Sequence, residues 1–328
     1  MAYGIKALSF VQIGAETTMG TEANATTIWR GPGTMIDDEV IEFVEEDVGF
    51  LQSQGRTYIP KVGALLELDE TPATFEQLPY LLVMGVDGAV TGIVDGAGVY
   101  VYTYNLATTT PETPKTYTLE CGDNNQEYQA TYGYCEEFEL AGAKNEAVTM
   151  SGKLRGRQYA SGTKTASLAV PTVEEILFNK GKIYVDDTTI ATTPLTATWL
   201  GFKLTVPTGF RPVWSGDGQL YFSALKQTDL REIEGEITIE HDANATTEIA
   251  NALAEKTRLI RMVFEGTAVT SGTYDYKTLV VTLAAKWSKV PQLDDDDGDN
   301  IVTFPFKSIY NASAANSFVV VNTLSALT

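Results

Sequence analysis

The sequence predicts a mainly β protein: a duplicated β-sandwich or barrel domain, each copy flanked by one short α-helix, with extended arms added. Three observations point there. First, a block recurs. When residues 63–76 are laid without a gap on 235–248, Gly63 falls on Gly235, Ala73 on Ala245, Thr74 on Thr246 and Glu76 on Glu248. Second, each block changes period midway. Glu236, Thr238, Glu240 and Asp242 alternate with Ile237 and Ile239, the mark of a strand with one buried face. Residues suited to opening a helix follow: Thr71 with Pro72 in one copy, Asn244 with Thr246 in the other. Third, a 44% apolar content, rich in Thr, Val, Tyr and Gly, suits a β-rich globular chain.

Taken in order, residues 1–33 are small, Thr-rich and without periodicity, and read as an extended arm. Plausible strands follow at 40–47 and 50–60. The first helix is expected over 72–84, with Phe75, Leu78 and Leu82 as its apolar stripe and Pro79 straining or shortening it. Residues 85–115 form a long Gly-, Thr- and Pro-rich loop around a strand-like Tyr100–Tyr104, a segment suited to binding a partner or to forming a protruding hairpin. Strands follow at 115–121, 132–140 and 146–155. In the last, Val148, Met150 and Leu154 oppose Thr149, Ser151, Lys153 and Arg155. The Ser/Thr/Ala-rich stretch 158–171 is the natural linker, giving a first domain over 1–160 and a second over 161–328. The second half adds strands at 176–185, 199–206, 258–264, 276–287 and 300–309, a turn at 214–218 and a helix near 247–255. Val302, Phe304 and Lys307 echo Val148, Met150 and Lys153.

At 328 residues the chain can bury a substantial core. It contains no run of eighteen apolar residues, so no membrane span is expected. Its opening residues lack the pattern of a signal peptide. A net charge of −20 opposes ordinary binding to phosphate backbones.

Catalytic chemistry is scarce. His241 is the only histidine and reads as structural, which leaves no room for a multi-histidine metal site. Cys121 and Cys135 are the only cysteines and read as reduced core thiols, with a disulfide conceivable. The run Asp294, Asp295, Asp296, Asp297, Gly298 and Asp299 fails the EF-hand spacing at both ends. It reads as a solvated turn, with a looser calcium site as the alternative. No dinucleotide fingerprint, nucleophile elbow or P-loop occurs. The triplets beginning at Asn24, Asn244 and Asn311 match the glycosylation pattern but carry no weight without a secretory signal. Accordingly no enzyme activity and no cofactor are expected. The acidic strand face of Glu67, Asp69, Glu236, Glu240 and Asp242 has two readings, a solvated outer face or the lining of a channel that repels a polyanion.

Several stretches together resemble the major tail protein of bacteriophages with long non-contractile tails. These are Ile13–Thr21 with its Gly-x-Glu-Thr pattern, the strand–helix unit 63–84, Tyr117–Asp123, and Tyr132–Tyr134 with Phe138–Leu140 and Val148–Gly152. The resemblance implies a β-sandwich flanked by a short helix. It also implies stacked rings forming a hollow tube around a tape measure protein, bounded by tail terminator and tail-tip proteins, with double-stranded DNA passing through unbound. It would place the chain in the virion, after assembly in the host cytoplasm. A fused pair implies three subunits per ring with pseudo-sixfold symmetry, and six subunits of one elaborated domain remain the alternative. The segments 1–33 and 85–115 would then bridge rings. The competing readings are a secreted or surface β-sandwich that binds carbohydrate or calcium, and a terminator or capsid-decorating protein.

Overall fold

A computed structural model describes residues 3–52, 55–270, 272–312 and 314–328. Met1, Ala2 and Ser313 of the third glycosylation triplet lie outside the described residues. The first half of the chain contributes β1 (Phe10–Ala15), β2 (Thr27–Ile28), β3 (Gly33–Asp37), β4 (Val40–Phe43), β5 (Thr57–Lys61), β6 (Ala64–Pro72) and α1 (Leu78–Gly85). It continues with β7 (Ile93–Val94), β8 (Tyr100–Asn105), β9 (Tyr117–Gly122), β10 (Glu127–Ala143), β11 (Thr149–Gly156) and β12 (Ala160–Ser161). The second half contributes β13 (Gly181–Asp186), β14 (Pro194–Leu195), β15 (Trp199–Pro207), β16 (Phe210–Val213), β17 (Ala224–Gln227), β18 (Glu234–Glu240) and α2 (Ala243–Leu253). It ends with β19 (Thr257–Ala268), β20 (Tyr276–Trp287), β21 (Leu293–Asp296), β22 (Asp299–Ser308) and β23 (Ser317–Asn322). The protein is mainly β.

The halves pair their strands in the same order. In the first, β2–β1–β9–β10 forms one layer and β3–β6–β11–β10 the other. In the second, β14–β13–β19–β20 faces β15–β18–β22–β20. The long strand β10 serves both layers because it bends at Tyr132, whose φ of 60° lies in the left-handed region. Glu16 holds that bend. Its buried carboxylate accepts from the backbone N–H groups of Tyr132 and Gly20 and from the Thr116 and Thr118 hydroxyls.

The ladder registers refine the repeat. An extra residue in β6 opposite Met150–Gly152 forms a bulge. Before it, the buried Leu66 and Leu68 take the places of Ile237 and Ile239. After it, buried Ala73 and Glu76 take those of buried Ala245 and Glu248. The ungapped match of Gly63 with Gly235 is therefore one residue out of step within the strand, and the echo of Met150 and Lys153 in Phe304 and Lys307 is four out, Leu154 and Arg157 taking those places, while the helix-proximal matches stand.

Strand β10 also pairs β15, Glu137–Ala143 opposite Gly201–Pro207. One sheet thus runs β3–β6–β11–β10–β15–β18–β22–β21 through both halves. Its inner face (Leu66, Met150, Phe138, Leu140, Leu204, Phe304) joins a hydrophobic core continuous across the halves. Helix α1 is buried on all sides, and Pro79 stands in its first turn, where a missing N–H is harmless, rather than straining it. It begins at Leu78, later than expected, because Thr71 and Pro72 still belong to β6.

The expected arms are folded into the sheets. β1 is an internal strand of its layer, between β2 and β9. β8 pairs with β23, which pairs with β20, so a strand of the first half completes the second half's sheet. The Asp95 carboxylate receives the backbone N–H groups of Thr273 and Tyr274 in the turn before β20. The linker, too, is fastened: β12 lies on β10, and Glu120 accepts from Thr165. Lys277 on β20 clamps Glu76 at 2.7 Å and Glu174 at 3.2 Å.

Candidate functional site

Two features stand apart from the core: a pair of unpaired strand edges and the outer face of the shared sheet. Among the described residues the pairings leave one side of β3 and one side of β21 free. The Pro32 carbonyl and the Asp38 N–H bond toward β6 and its extension, so the N–H and C=O groups of Met35 and Asp37 point away from it. In the hairpin Leu293–Asp299 the two-residue turn Asp297–Gly298 makes Asp296 and Asp299 a hydrogen-bonded pair, which leaves Leu293 and Asp295 pointing outward.

The junction inside the chain shows what such edges do. There Thr208 N–H donates to Glu136 O and Lys144 N–H to Leu200 O, so Phe138, Leu140 and Gly142 are hydrogen-bonded with Val206, Leu204 and Phe202. Through the repeat, Leu140 corresponds to Asp295 and Leu204 to Asp37. The outward-pointing groups of the two free edges are those used at the internal junction. Their side chains differ. The junction buries Leu140 against Leu204, whereas the free edges carry Asp37, Asp38 and Glu39 on one side and Asp294–Asp297 on the other.

The acidic run 294–299 is thus the end of a β-hairpin. Asp296 forms an ion pair with Lys144, and among the described residues no group of His, Cys, Asp or Glu is arranged to hold a metal ion. The outer face of the sheet carries Glu67 and Asp69 on β6 and Glu236 and Glu240 on β18, as the alternation predicts. Asp242 is not on it. Its side chain accepts from the N–H groups of Asn244 and Ala245 and caps α2. The helix therefore starts at Ala243, with Asp242 rather than Asn244 as its cap.

Structure adds Glu234, two residues before Glu236 on β18, and Glu137 and Glu139 on β10, whose place beside β11 and β15 its own sequence does not reveal. Lysines interleave with them. Lys153 meets Glu137 at 3.1 Å, Lys203 meets Glu139 at 3.3 Å, and Lys307 meets Glu232 and Glu234 at 2.7 Å each. Donating hydrogen bonds to these carboxylates raises the ammonium pKa of Lys153 and Lys307. Glu67, Asp69, Glu236 and Glu240 take part in none of these pairs, so the face stays acidic on balance.

Elsewhere, His241 is exposed and gives its backbone N–H to Asn300 O. Cys121 and Cys135 are buried free thiols, and burial pushes the pKa of both up. The buried Glu248 accepts two bonds from Arg258 and one from the Trp287 indole, an internal ion pair that supports α2. No protein-family model and no curated protein matches this chain.

Proposed function

We propose that this chain is a structural subunit that associates head to tail through its free edges, closing into rings that stack as a hollow tube of the phage tail type. The observation that carries the reading is the internal β10–β15 junction. Two similar units are already joined edge to edge within one chain, and backbone groups equivalent to those of the junction point away from the ladder at both ends of the joined sheet, the Asp295 N–H there resting on the Asp294 carboxylate. A heterologous contact that repeats the rotation of the internal junction generates a ring if it closes and a helical filament if it does not. Closure removes both exposed edges, which otherwise invite uncontrolled pairing.

Three chains per ring would place six similar units around the axis. The acidic outer face of the sheet suits a lumen through which a polyanion slides without adhering, since like charge raises the free energy of contact. The passing polymer would be double-stranded DNA, after a tape measure protein has left. The chain would then belong to the virion, with a terminator at one end of the tube and a tail tip at the other.

Negative-stain electron microscopy and analytical ultracentrifugation across concentration, salt and magnesium test this. Hollow rings or tubes of one width are expected, and Asp37→Pro, which removes an outward N–H without touching the β3–β6 ladder, abolishes them. A wild-type chain that stays monomeric in every condition refutes the proposal.

A further inference from the structure

Each half inserts a hairpin between the first two strands of its shared-sheet layer. In the second half β16–β17 lies between β15 and β18, and in the first β4–β5 lies between β3 and β6. The two hairpins have opposite fates. β16–β17 folds over the first half: Phe210 meets Tyr134, Phe222 meets Tyr132 and Tyr134, and Arg157 donates to the carbonyls of Phe222 and Ser223. Its loop reaches on to the link between β5 and β6, where Val62 N–H donates to Leu220 O. β4–β5 has no such bed. Phe43 stands as far beyond Asp37 as Phe210 stands beyond Leu204, yet Phe43 is 73% exposed and Phe210 only 7%. Phe50 and Leu51, in the same hairpin, are 72% and 109% exposed.

The bed that β4–β5 lacks exists at the far end of the chain. Through the repeat, Tyr132 and Tyr134 correspond to Lys286 and Ser288, Arg157 to Lys307, and Val62 to Ile233. Around the last two positions lies a groove of about 590 Å³ lined in part by Arg231, Ser308, Ile309 and Tyr310. Lys286 and Lys289 beside it are exposed and, among the described residues, form no ion pair, whereas the hairpin carries Glu42, Glu45, Glu46 and Asp47. Position and apolar exposure agree, and Lys286 and Lys289 supply charge opposite to the hairpin's, although Asp229 and Glu232 also line the groove.

We infer that the β4–β5 hairpin docks onto a second copy of this chain, over Lys286–Lys289 and into the groove beside Tyr310, repeating between chains the contact that β16–β17 makes within one. The inference rests on the ring reading and adds to it a latch beyond the strand edges. The seam alone brings carboxylates together, and the latch supplies the apolar burial and opposite charge that such a seam lacks.

The experiment compares six proteins by sedimentation: wild type, Asp37→Pro, Phe43→Ser/Phe50→Ser and, under oxidising conditions, Phe50→Cys, Tyr310→Cys and the pair Phe50→Cys/Tyr310→Cys. Thermal melts confirm that the exposed-site variants fold. The expected result has wild type associating and Asp37→Pro failing to. The serine variant associates about tenfold or more weakly, the effect of one lost aromatic burial. The cysteine pair gives intermolecular disulfide-linked dimers and trimers that neither single cysteine gives. If wild type associates and Asp37→Pro does not, while the serine variant matches wild type and no disulfide ladder forms, the latch is refuted and the ring stands. If wild type never associates, both are refuted.

Discussion

Replacing Lys277 with Met tests whether the two halves act as one rigid unit. The Lys277 Nζ sits 2.7 Å from Glu76 Oε1 and 3.2 Å from Glu174 Oε2, and the Glu76 side chain is only 4% exposed. Burial lowers the Lys277 pKa, but its bonds to the two carboxylates outweigh that and hold it above its ordinary value. Methionine fills the same volume but leaves Glu76 buried with its remaining bond from the Glu174 N–H. Stranding a buried carboxylate in this way costs about 3 kcal/mol. Urea denaturation followed by tryptophan fluorescence and far-UV circular dichroism reads the change. We expect one transition at a lower midpoint, because β8, β23 and the continuous core join the halves. Adding Glu76→Gln should recover about 1 kcal/mol or more, since neighbours in one network are not additive. A loss below about 1 kcal/mol, or strict additivity of the two substitutions, would show that the clamp is not what fixes one half against the other.

Other expectations follow from the same contacts. Glu16→Gln places an amide among donors at the β10 bend and should cost about 2 kcal/mol, read as a shift in the urea midpoint. Leu204→Ala opens the internal junction and should cost about 3 kcal/mol by the same assay. Burial pushes the Glu174 carboxyl up, but bonds from Thr267 and Lys277 outweigh this and hold it below its ordinary 4.5. A carboxyl depressed on folding contributes stability that is complete above 4.5 and lost as pH falls through its lower folded value. The melting temperature of wild type should therefore fall more steeply below pH 4.5 than that of Glu174→Gln. Because carboxylates face each other at the proposed seam, raising the salt concentration should strengthen association of a Lys286→Ser/Lys289→Ser variant, whose latch lacks opposite charge, and sedimentation at low and high salt checks the sign.

The sequence reveals most where one side of a strand is buried and the other wet. β11 and β22 lie close to their expected bounds because Met150, Leu154, Phe304 and Phe306 keep the alternation, whereas β20 matches its bounds although Thr278–Ala285 is buried on both faces. The start of β10 was missed since Glu127–Thr131 is polar, and the bend at Tyr132 depends on the distant Glu16. α1 carries no one-sided stripe because β8 and β10 enclose it, a tertiary fact absent from its own eight residues. Hairpin β4–β5 is shorter than its two apolar runs suggest, the described residues of 44–56 lying outside the strands. Of the acidic face, the β6 and β18 members were legible by alternation. Asp242 was not, because a residue that ends a strand can also cap the helix that follows. The free edges were illegible, since an edge is defined by which neighbour is missing.

The pairing of β8 with β23 also has a consequence for timing. Residues Tyr100–Asn105 find their partners only at Ser317–Asn322, more than two hundred residues later. During synthesis β8 therefore has no partner strand on that side until Asn322 has left the ribosome. Contacts so distant in sequence form slowly. The delay orders events: the strand that locks the two halves arrives after both β3 and β21 have been made. In the proposed ring, a chain whose β23 is still unmade would lack the strand that ties β8 to β20, although the β10–β15 junction already sets both free edges in one sheet.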